Sequence, residues 1–182
     1  NMLGKHNILN CLAAICVAKI LNIKTENIKK SFKKFKGIKR RFTLIDTIAG
    51  VKIFDDYAHH PEEIKSTLDL VQILKPKNTV IVFQPHRYSR FGNLYNNFKK
   101  VLQNCDKLIV ADVYPAGETS VNSLSKEKFV KDINRLKNNL AVPLNKISDL
   151  PKIIKKNTRF GDIVIFIGAG DISRWAYKLP TQ

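Results

Sequence analysis

The sequence predicts an α/β protein with a Rossmann-like, open and mostly parallel sheet that carries helices on both faces. Short β-branched runs at residues 79–83 and 163–167 alternate with segments of helical periodicity, such as residues 61–74. This alternation is typical of parallel sheets built from right-handed crossovers. It starts after Gly37 and continues to the end of the chain, so we predict one such domain over residues 37–182.

Each element of this domain follows from its own pattern. Strands are predicted at residues 42–46, 51–55, 79–83, 108–111 and 163–167, with a shorter one at 140–143. Helices are predicted at residues 61–74, 93–103, 126–137, 149–156 and 172–177.

Two helices are predicted before the sheet, in residues 1–36. Residues 6–21 are apolar nearly all round, which is typical of a helix buried between layers. Thr25 is a plausible N-cap of the next helix, and Gly37 can close it. We expect this hairpin to be the tail of another domain.

The composition narrows the class of protein. The net charge is +17, from 32 Lys and Arg against 15 Asp and Glu, but the lysines are scattered and the chain is rich in Ile and Asn, as an AT-rich coding sequence produces. This distribution favours a solvated surface, so we predict that the chain does not bind nucleic acid.

Cysteine usage and hydropathy point to the cytoplasm. Cys11, Cys16 and Cys105 match neither a disulfide framework nor a zinc spacing, which is typical of reduced thiols. The longest apolar stretch, residues 12–21, is too short to cross a membrane and contains Lys19. The first residues lack the layout of a signal peptide and are typical of a cut inside a longer protein.

Polar residues follow three of the predicted strands. Ligands of open α/β sheets bind beyond the carboxyl ends of the strands, so these segments are the candidate functional site. They cover residues 55–60, 84–90 and 112–118, and we expect them to meet at one edge of the sheet.

The first of these segments is unusually rich in functional groups. Its sequence is Asp55-Asp56-Tyr57-Ala58-His59-His60-Pro61. Helix capping by Asp56 or His60 is the simpler explanation for part of it, since Pro61 suits a first helical turn. A metal site at the two histidines is a rival, but no third ligand has a recognisable spacing, and we predict no metal site.

The second segment places His86 beside two arginines, Arg87 and Arg90. Each guanidinium offers a planar fork of donors that matches a carboxylate or a phosphate. The alternative is a solvated basic loop. Residues 39–41, all basic, favour a solvated run, and the glycine turn at residues 168–171 favours a tight strand-to-helix connection over a phosphate cradle.

These motifs and their order resemble those of the Mur ligase family, and the resemblance covers almost the whole chain. It rests on six motifs: Gly4-x-His6-Asn7-x-x-Asn10, Gly37-Ile38-Lys39-Arg40-Arg41-Phe42, residues 55–61, residues 83–90, Asp112-Val113-Tyr114-Pro115-Ala116-Gly117-Glu118, and Gly168-Ala169-Gly170-Asp171-Ile172. Chance similarity over six ordered motifs is improbable.

The resemblance implies an ATP-driven ligase that forms a carbon–nitrogen bond in peptidoglycan synthesis. The match at residues 84–88 implies that L-alanine is joined to UDP-N-acetylmuramate through an acyl phosphate, with Mg²⁺ assisting. Such ligases have three domains, and the resemblance implies that only the third is complete here. No GxxxxGK[ST] phosphate loop occurs in the chain, so ATP and Mg²⁺ are expected to be bound mainly by the missing central domain, whose tail would be residues 1–36.

The resemblance also implies roles for individual residues. The residues that match ATP-binding positions are His6, Asn7, Arg41 and Asp56. The residues that match positions around the incoming amino acid are Tyr57, His59, His86, Arg87 and Arg90, of which His59, Arg87 and Arg90 are expected to be catalytic. A pair of arginines on the alanine carboxylate would fix its direction and leave the amine free to attack.

Three alternatives remain at the level of sequence. One is the recycling ligase of the same family that attaches a whole tripeptide to the same sugar. The others are a non-enzymatic Rossmann-like binding module and a basic nucleic-acid-binding domain. A phosphate loop encoded upstream of Asn1 would favour the ligase, whereas a start codon at Met2 would favour an independent module.

Overall fold

The computed structural model describes residues 4–179, apart from the side chains of Lys5, His6 and Asn122. The chain divides into two compact units, residues 1–39 and residues 40–182.

The first unit consists of two helices, α1 (Lys5–Ile20) and α2 (Thr25–Lys34). Within the described residues α1 is not buried on all sides, and the expectation that it lies between the layers of another domain stays a prediction. Its exposed apolar side chains are Ile8, Leu9, Leu12, Val17 and Ile20. The N-cap prediction is wrong: Thr25 is the first helical residue, and its hydroxyl accepts a hydrogen bond from Lys19 Nζ at 2.7 Å.

The second unit is built on one six-stranded sheet. Its strands are β1 (Thr43–Ile48), β2 (Val51–Asp56), β3 (Thr79–Phe83), β4 (Lys107–Val110), β5 (Ala141–Pro143) and β6 (Ile163–Ile167), in the spatial order β1-β2-β6-β3-β4-β5. Only the β1–β2 pair is antiparallel among the described strands. The predicted open, mostly parallel sheet is confirmed.

The helices of the second unit connect these strands. They are α3 (Pro61–Leu74), α4 (Tyr88–Asn93), α5 (Tyr95–Leu102), α6 (Lys126–Asn134), α7 (Leu150–Asn157) and α8 (Ile172–Lys178). Helix α3 and strands β3 and β6 have the predicted bounds. The helix predicted at residues 93–103 is confirmed as α5, whereas the preceding helix α4, which begins at Tyr88 and ends one residue before Leu94, was not predicted.

The alternation of side chains along the central strands divides the core into two layers. In β3, Ile81 and Phe83 pack with helices α3, α4, α5 and α6, whereas Val80 and Val82 pack with α7 and α8. All five residues of β3 and all five of β6 are buried. This period of two is the geometry of a strand covered on both faces. The layers fix the strand ends, and with them the loops that follow.

Candidate functional site

The three polar segments meet at the carboxyl edge of the sheet, as the sequence predicted. The ring of His86, after β3, lies 5.8 Å from the ring of His59, after β2. On its other side it stacks on the ring of Tyr114, after β4, at 5.4 Å and 14°. His86 and Tyr114 also form a parallel β-bridge that extends the sheet beyond β3 and β4.

Asp56 is a buried carboxylate that ties three elements together. It is 5% exposed and accepts hydrogen bonds from the Ala58 amide at 2.8 Å, the Phe42 amide at 3.1 Å and the Thr67 hydroxyl at 3.1 Å. Burial raises the pKa of Asp56, although the three hydrogen bonds and the charge of Arg41 act in the opposite direction. A carboxylate has about four lone-pair sites, so three internal donors leave room for a further one. The ATP-binding role of Asp56 stays a prediction.

The half-buried Arg40 and the buried Asp55 form a second group, which the sequence analysis missed by treating residues 39–41 as a solvated run. Arg40 donates from Nη2 to the carbonyls of Gly168 at 2.9 Å and Gly170 at 3.3 Å. Its guanidinium lies 4.5 Å from the ring centre of Tyr57, and its Nε is 3.9 Å from Asp55 Oδ2. Asp55 accepts a hydrogen bond from Ser173 at 2.8 Å. Burial raises the pKa of Asp55, although the Ser173 hydrogen bond and the charge of Arg40 act in the opposite direction.

Arg41 differs from its neighbour in being available at the surface. Its side chain is 49% exposed, and Nη1 lies 3.9 Å from Glu63 Oε1. It lies 5.9 Å from the ring centre of Tyr57, on which Arg40 also packs. The predicted nucleotide contact of Arg41 is therefore sterically open.

The two histidines of the first segment have different tasks. His60 caps α3: its side chain accepts from the Glu62 amide at 3.4 Å, and Glu63 accepts from the amides of His59 at 3.0 Å and His60 at 3.2 Å. The capping explanation is confirmed for His60. His59 instead places Nδ1 at 3.0 Å from the carbonyl of Tyr57 and at 3.4 Å from Glu63 Oε2, so Nε2 is the other ring nitrogen available to a ligand. Burial raises the pKa of Glu63, but the amides of His59 and His60 and the charges of His59 and Arg41 lower it overall.

The two arginines of the second segment stand at the start of α4. Arg87 is the residue before the helix, and its side chain is exposed. Arg90 lies in the first turn and contacts His86 twice from Nη1, at 3.2 Å to the ring Nδ1 and 3.4 Å to the carbonyl. Burial lowers the pKa of His86, and the charges of Arg90, His59 and Arg87 lower it further against the opposite effect of Glu118. A neutral His86 accepts the hydrogen bond from Arg90 on Nδ1.

The glycine turn at residues 168–171 is a tight strand-to-helix connection. The Gly168 amide donates to the Asp56 carbonyl, and Gln84 accepts from the Ile172 amide at 3.2 Å while donating to Asp171 at 2.7 Å. A Cβ at Gly170 would lie 2.5 Å from Gln84 Oε1 and 2.7 Å from the Tyr114 ring. Close packing against Gln84 and Tyr114 thus explains why position 170 is a glycine.

The two remaining predicted ATP contacts belong to the first unit. The side chain of His6 lies outside the described residues. Asn7 is 9% exposed and lines a cavity of about 340 Å³ between α1 and α2. Most of the lining is apolar and comes from Cys11, Ala14, Phe32, Phe35 and Ile38.

Over residues 4–179, side chains of His, Cys, Asp and Glu do not form a group of three that could hold a metal ion. Among the helices that the structure describes, none is long and apolar enough to cross a membrane.

The chain is similar to several known ligases. Residues 40–170 match the family described as Mur ligase, glutamate ligase domain. The UDP-N-acetylmuramate–L-alanine ligase of Phenylobacterium zucineum is 40% identical over 181 residues, covering 100% of this chain and 38% of that protein. The protein of the same name from Rickettsia bellii is 42% identical over 183 residues, covering 98% of this chain and 38% of its own length.

Solved structures agree with this assignment. The UDP-N-acetylmuramate–alanine ligase of Thermotoga maritima superimposes with a TM-score of 0.79 at 28% identity, over 99% of this chain and 38% of that one. A murein peptide ligase from Psychrobacter arcticus, at 24% identity and a TM-score of 0.72, shares the fold. This chain spans about two-fifths of the length of the curated relatives that it matches. The match over residues 40–170 and the identity over the whole chain show that it belongs to the Mur ligase family.

Proposed function

We propose that this chain is the carboxyl-terminal part of a longer enzyme that joins L-alanine to UDP-N-acetylmuramate at the expense of ATP. The observation that carries the proposal is the arginine pair Arg87 and Arg90 at the carboxyl edge of the sheet, where Arg90 contacts His86 and the ring of His86 lies 5.8 Å from that of His59. The identity of about 40% to ligases of this name over the whole chain supports it.

The arginine pair is suited to the carboxylate of the amino acid. The side chain of Arg87 is exposed, so its fork of donors is open to a ligand. Arg90 is held by His86 through Nη1 only, which leaves its other nitrogens for the ligand. When both arginines bind the carboxylate from one side, the α-amino group points away from them, toward the acyl phosphate that it attacks.

His59 is placed to serve the amine. With Nδ1–H donated to the Tyr57 carbonyl, Nε2 carries the lone pair. It can accept the proton that the α-ammonium must lose before it attacks the acyl carbon. The products of that attack are the amide and inorganic phosphate.

Arg41 and Asp56 form the nucleotide side of this unit in the proposal. Arg41 supplies an exposed positive charge for phosphate oxygens, and Asp56 has one lone-pair site left for a hydroxyl. The described residues do not form a group of three His, Cys, Asp or Glu side chains for Mg²⁺, so the proposal assigns this ion to the rest of the longer enzyme.

The first test reads the coding sequence upstream of Asn1. The proposal expects a GxxxxGK[ST] loop about one domain upstream, and the isolated 182-residue chain should not release phosphate from ATP when both substrates are added. A start codon at Met2 with no upstream reading frame would overturn the proposal, as would ligase activity of the isolated chain.

The second test measures alanine saturation in the full-length enzyme. Arg87→Ala and Arg90→Ala should each raise the KM for L-alanine about tenfold or more, since each removes a charge-assisted hydrogen bond. Lysine should rescue poorly because one ammonium cannot reproduce the fork. Arg135→Ala is the matched control, since Arg135 is exposed and pairs with Asp132 away from the site.

Substrate analogues separate the alanine ligase from its alternatives. L-Alaninamide lacks the negative carboxylate and should be a poor substrate. If the amide is used as well as the acid, or if a tripeptide is preferred to alanine, the assignment is wrong.

A further inference from the structure

Arg87 has an unusual backbone conformation for a residue with a side chain. Its φ is +68° and its ψ is 130°, a combination outside the ordinary regions for L-residues. Such a conformation costs free energy and persists only where the surrounding structure fixes it. Arg87 therefore needs external support on both sides. We call residues 84–90 the arginine loop and residues 112–118 the buttress loop.

The buttress loop holds the arginine loop before the strained residue. The Arg87 amide donates to the Tyr114 carbonyl at 2.8 Å, and the Tyr114 amide donates to the Pro85 carbonyl at 2.8 Å. The rings of His86 and Tyr114, which stack at 5.4 Å, add a further contact between the same two loops. The chain is thereby fixed up to the Arg87 nitrogen.

The buttress loop also holds the arginine loop after the strained residue. The Ser89 amide donates to Glu118 Oε2 at 2.9 Å, and the Ser89 hydroxyl donates to Oε1 at 2.6 Å. Helix α4 has no capping side chain of its own at Arg87, so Glu118 supplies the cap from a distant loop. A negative charge is also favourable at this end of a helix.

Glu118 is charged in this setting. The hydroxyl and amide of Ser89 and the charge of Arg87 lower its pKa. The contact between Ser89 and Glu118 is exposed, so water competes for the same groups. Both hydrogen bonds are therefore needed to keep the contact formed.

We infer that Glu118 is a positioning residue for the arginine pair, acting through Ser89 to hold Arg87 in its strained conformation and Arg90 at the start of α4. The consequence for alanine binding rests on the proposed function. A guanidinium has no acceptor and cannot cap a helix, so Glu118 supplies the acceptor that Arg87 lacks at the start of α4.

Hydrogen exchange on the 182-residue chain tests the contact without any activity. Glu118→Ala should speed exchange of the Ser89 amide about tenfold or more, and Glu118→Gln, which keeps one acceptor oxygen, should have a smaller effect. Ser89→Thr keeps the hydroxyl and should preserve the protection at position 89. Glu127→Gln is the matched control, an exposed glutamate in the first turn of α6. Unchanged exchange in Glu118→Ala would overturn the inference.

Kinetics of the full-length enzyme test the positioning role. Glu118→Ala and Ser89→Ala should each raise the KM for L-alanine about fivefold or more, with the KM for ATP unchanged. The double variant should be no worse than Glu118→Ala alone, because Glu118→Ala already removes both bonds to Ser89, whereas Ser89→Ala removes only the hydroxyl bond. Additive effects, or an equal rise for alanine and ATP, would show a general loss of structure and overturn the role.

The two arms also separate this inference from the proposed function. If Glu118→Ala speeds exchange at Ser89 while Arg87→Ala leaves alanine saturation unchanged, the contact stands and the proposed function fails. If Arg87→Ala weakens alanine use while Glu118→Ala changes neither exchange nor KM, the proposed function stands and the inference fails.

Discussion

Asp55 and Asp56 are adjacent in the chain yet serve opposite faces of the sheet. They end β2, where successive side chains alternate, so Asp55 meets Ser173 on one face and Asp56 meets Thr67 on the other. Both are buried, and burial raises the pKa of each. Two identical residue types thus gain different partners from one step along a strand.

Replacing Asp56 should affect both stability and nucleotide use. Asp56→Ala leaves the Phe42 and Ala58 amides without their acceptor, and we expect a loss of about 2–4 kcal/mol in unfolding free energy. In the full-length enzyme the KM for ATP should rise more than that for L-alanine. Denaturant unfolding and substrate saturation measure the two effects, with Asp69→Ala, an exposed aspartate of α3, as the control. Equal rises in both KM values would remove the ATP assignment.

His86 should give alanine binding an acid limit. Because its pKa is lowered in the folded protein, His86 stays neutral through the ordinary histidine pKa of about 6.5 and protonates only below it. Protonation removes the acceptor for Arg90 and adds a positive charge beside Arg90, Arg87 and His59. The contribution of His86 to folding stability is likewise present above its ordinary pKa. It is lost as the pH falls through the lowered pKa of His86 in the folded protein.

The measurement is the KM for L-alanine between about pH 5 and 8 in the full-length enzyme. It should be flat above about pH 6.5 and rise below it. His86→Gln keeps an acceptor for Arg90 but does not titrate, so its profile should lose this acid limit. An unchanged acid limit in His86→Gln would assign it to another group.

At the scale of elements, α4 depends on a single buried anchor. Phe91 is the buried residue of this six-residue helix, and its ring lies 5.1 Å from Phe129 and 5.8 Å from Phe98. Phe91→Ala should lower the unfolding free energy by about 3–5 kcal/mol, because it opens a cavity in the aromatic cluster. Phe160→Ala is the control, since that ring is 73% exposed. A loss under about 1 kcal/mol for Phe91→Ala would show that α4 is not anchored this way.

The elements were predictable where their pattern is local. Strand β6 is a run of five apolar β-branched and aromatic residues, and α3 has a proline start and a helical period, so both were predicted with their observed bounds. Helix α4 was missed because it is only six residues long, with one buried position, and a pattern of period 3.6 needs more turns to be visible.

The candidate site was predictable as a place but not as a network. Polar residues after strands marked the edge of the sheet, because parallel strands end together. The contacts of Arg40 with Gly168 and of Ser89 with Glu118 join residues 128 and 29 positions apart. No periodicity links such pairs, so a charged residue that holds the backbone, such as Arg40, is indistinguishable in sequence from one that is solvated.

At the scale of the whole molecule, the positive charges are scattered along the sequence, but the fold gathers three of the arginines at one place. The net charge is +17, and most lysines lie on exposed surfaces. Arg41, Arg87 and Arg90 are different, because the fold gathers them at one edge of the sheet with two histidines nearby. Carboxylates and phosphates are the groups that such an edge attracts, and the substrates in the proposed reaction carry both.

The division into two units predicts where a protease cuts first. Residues 35–39 lie outside helix and strand, and Lys36 and Lys39 are exposed there, whereas both core layers lie wholly beyond Arg40. Brief trypsin treatment should therefore yield a persistent product that starts at Gly37 or Arg40, because cutting the sheet unit needs its cooperative opening. Mass spectrometry and N-terminal sequencing identify the product. Replacing Lys36 and Lys39 with Gln should slow its appearance, whereas the same change at Lys155 and Lys156 in α7 should not. First cuts inside α3 or α6 would show that the sheet unit opens as readily as the junction.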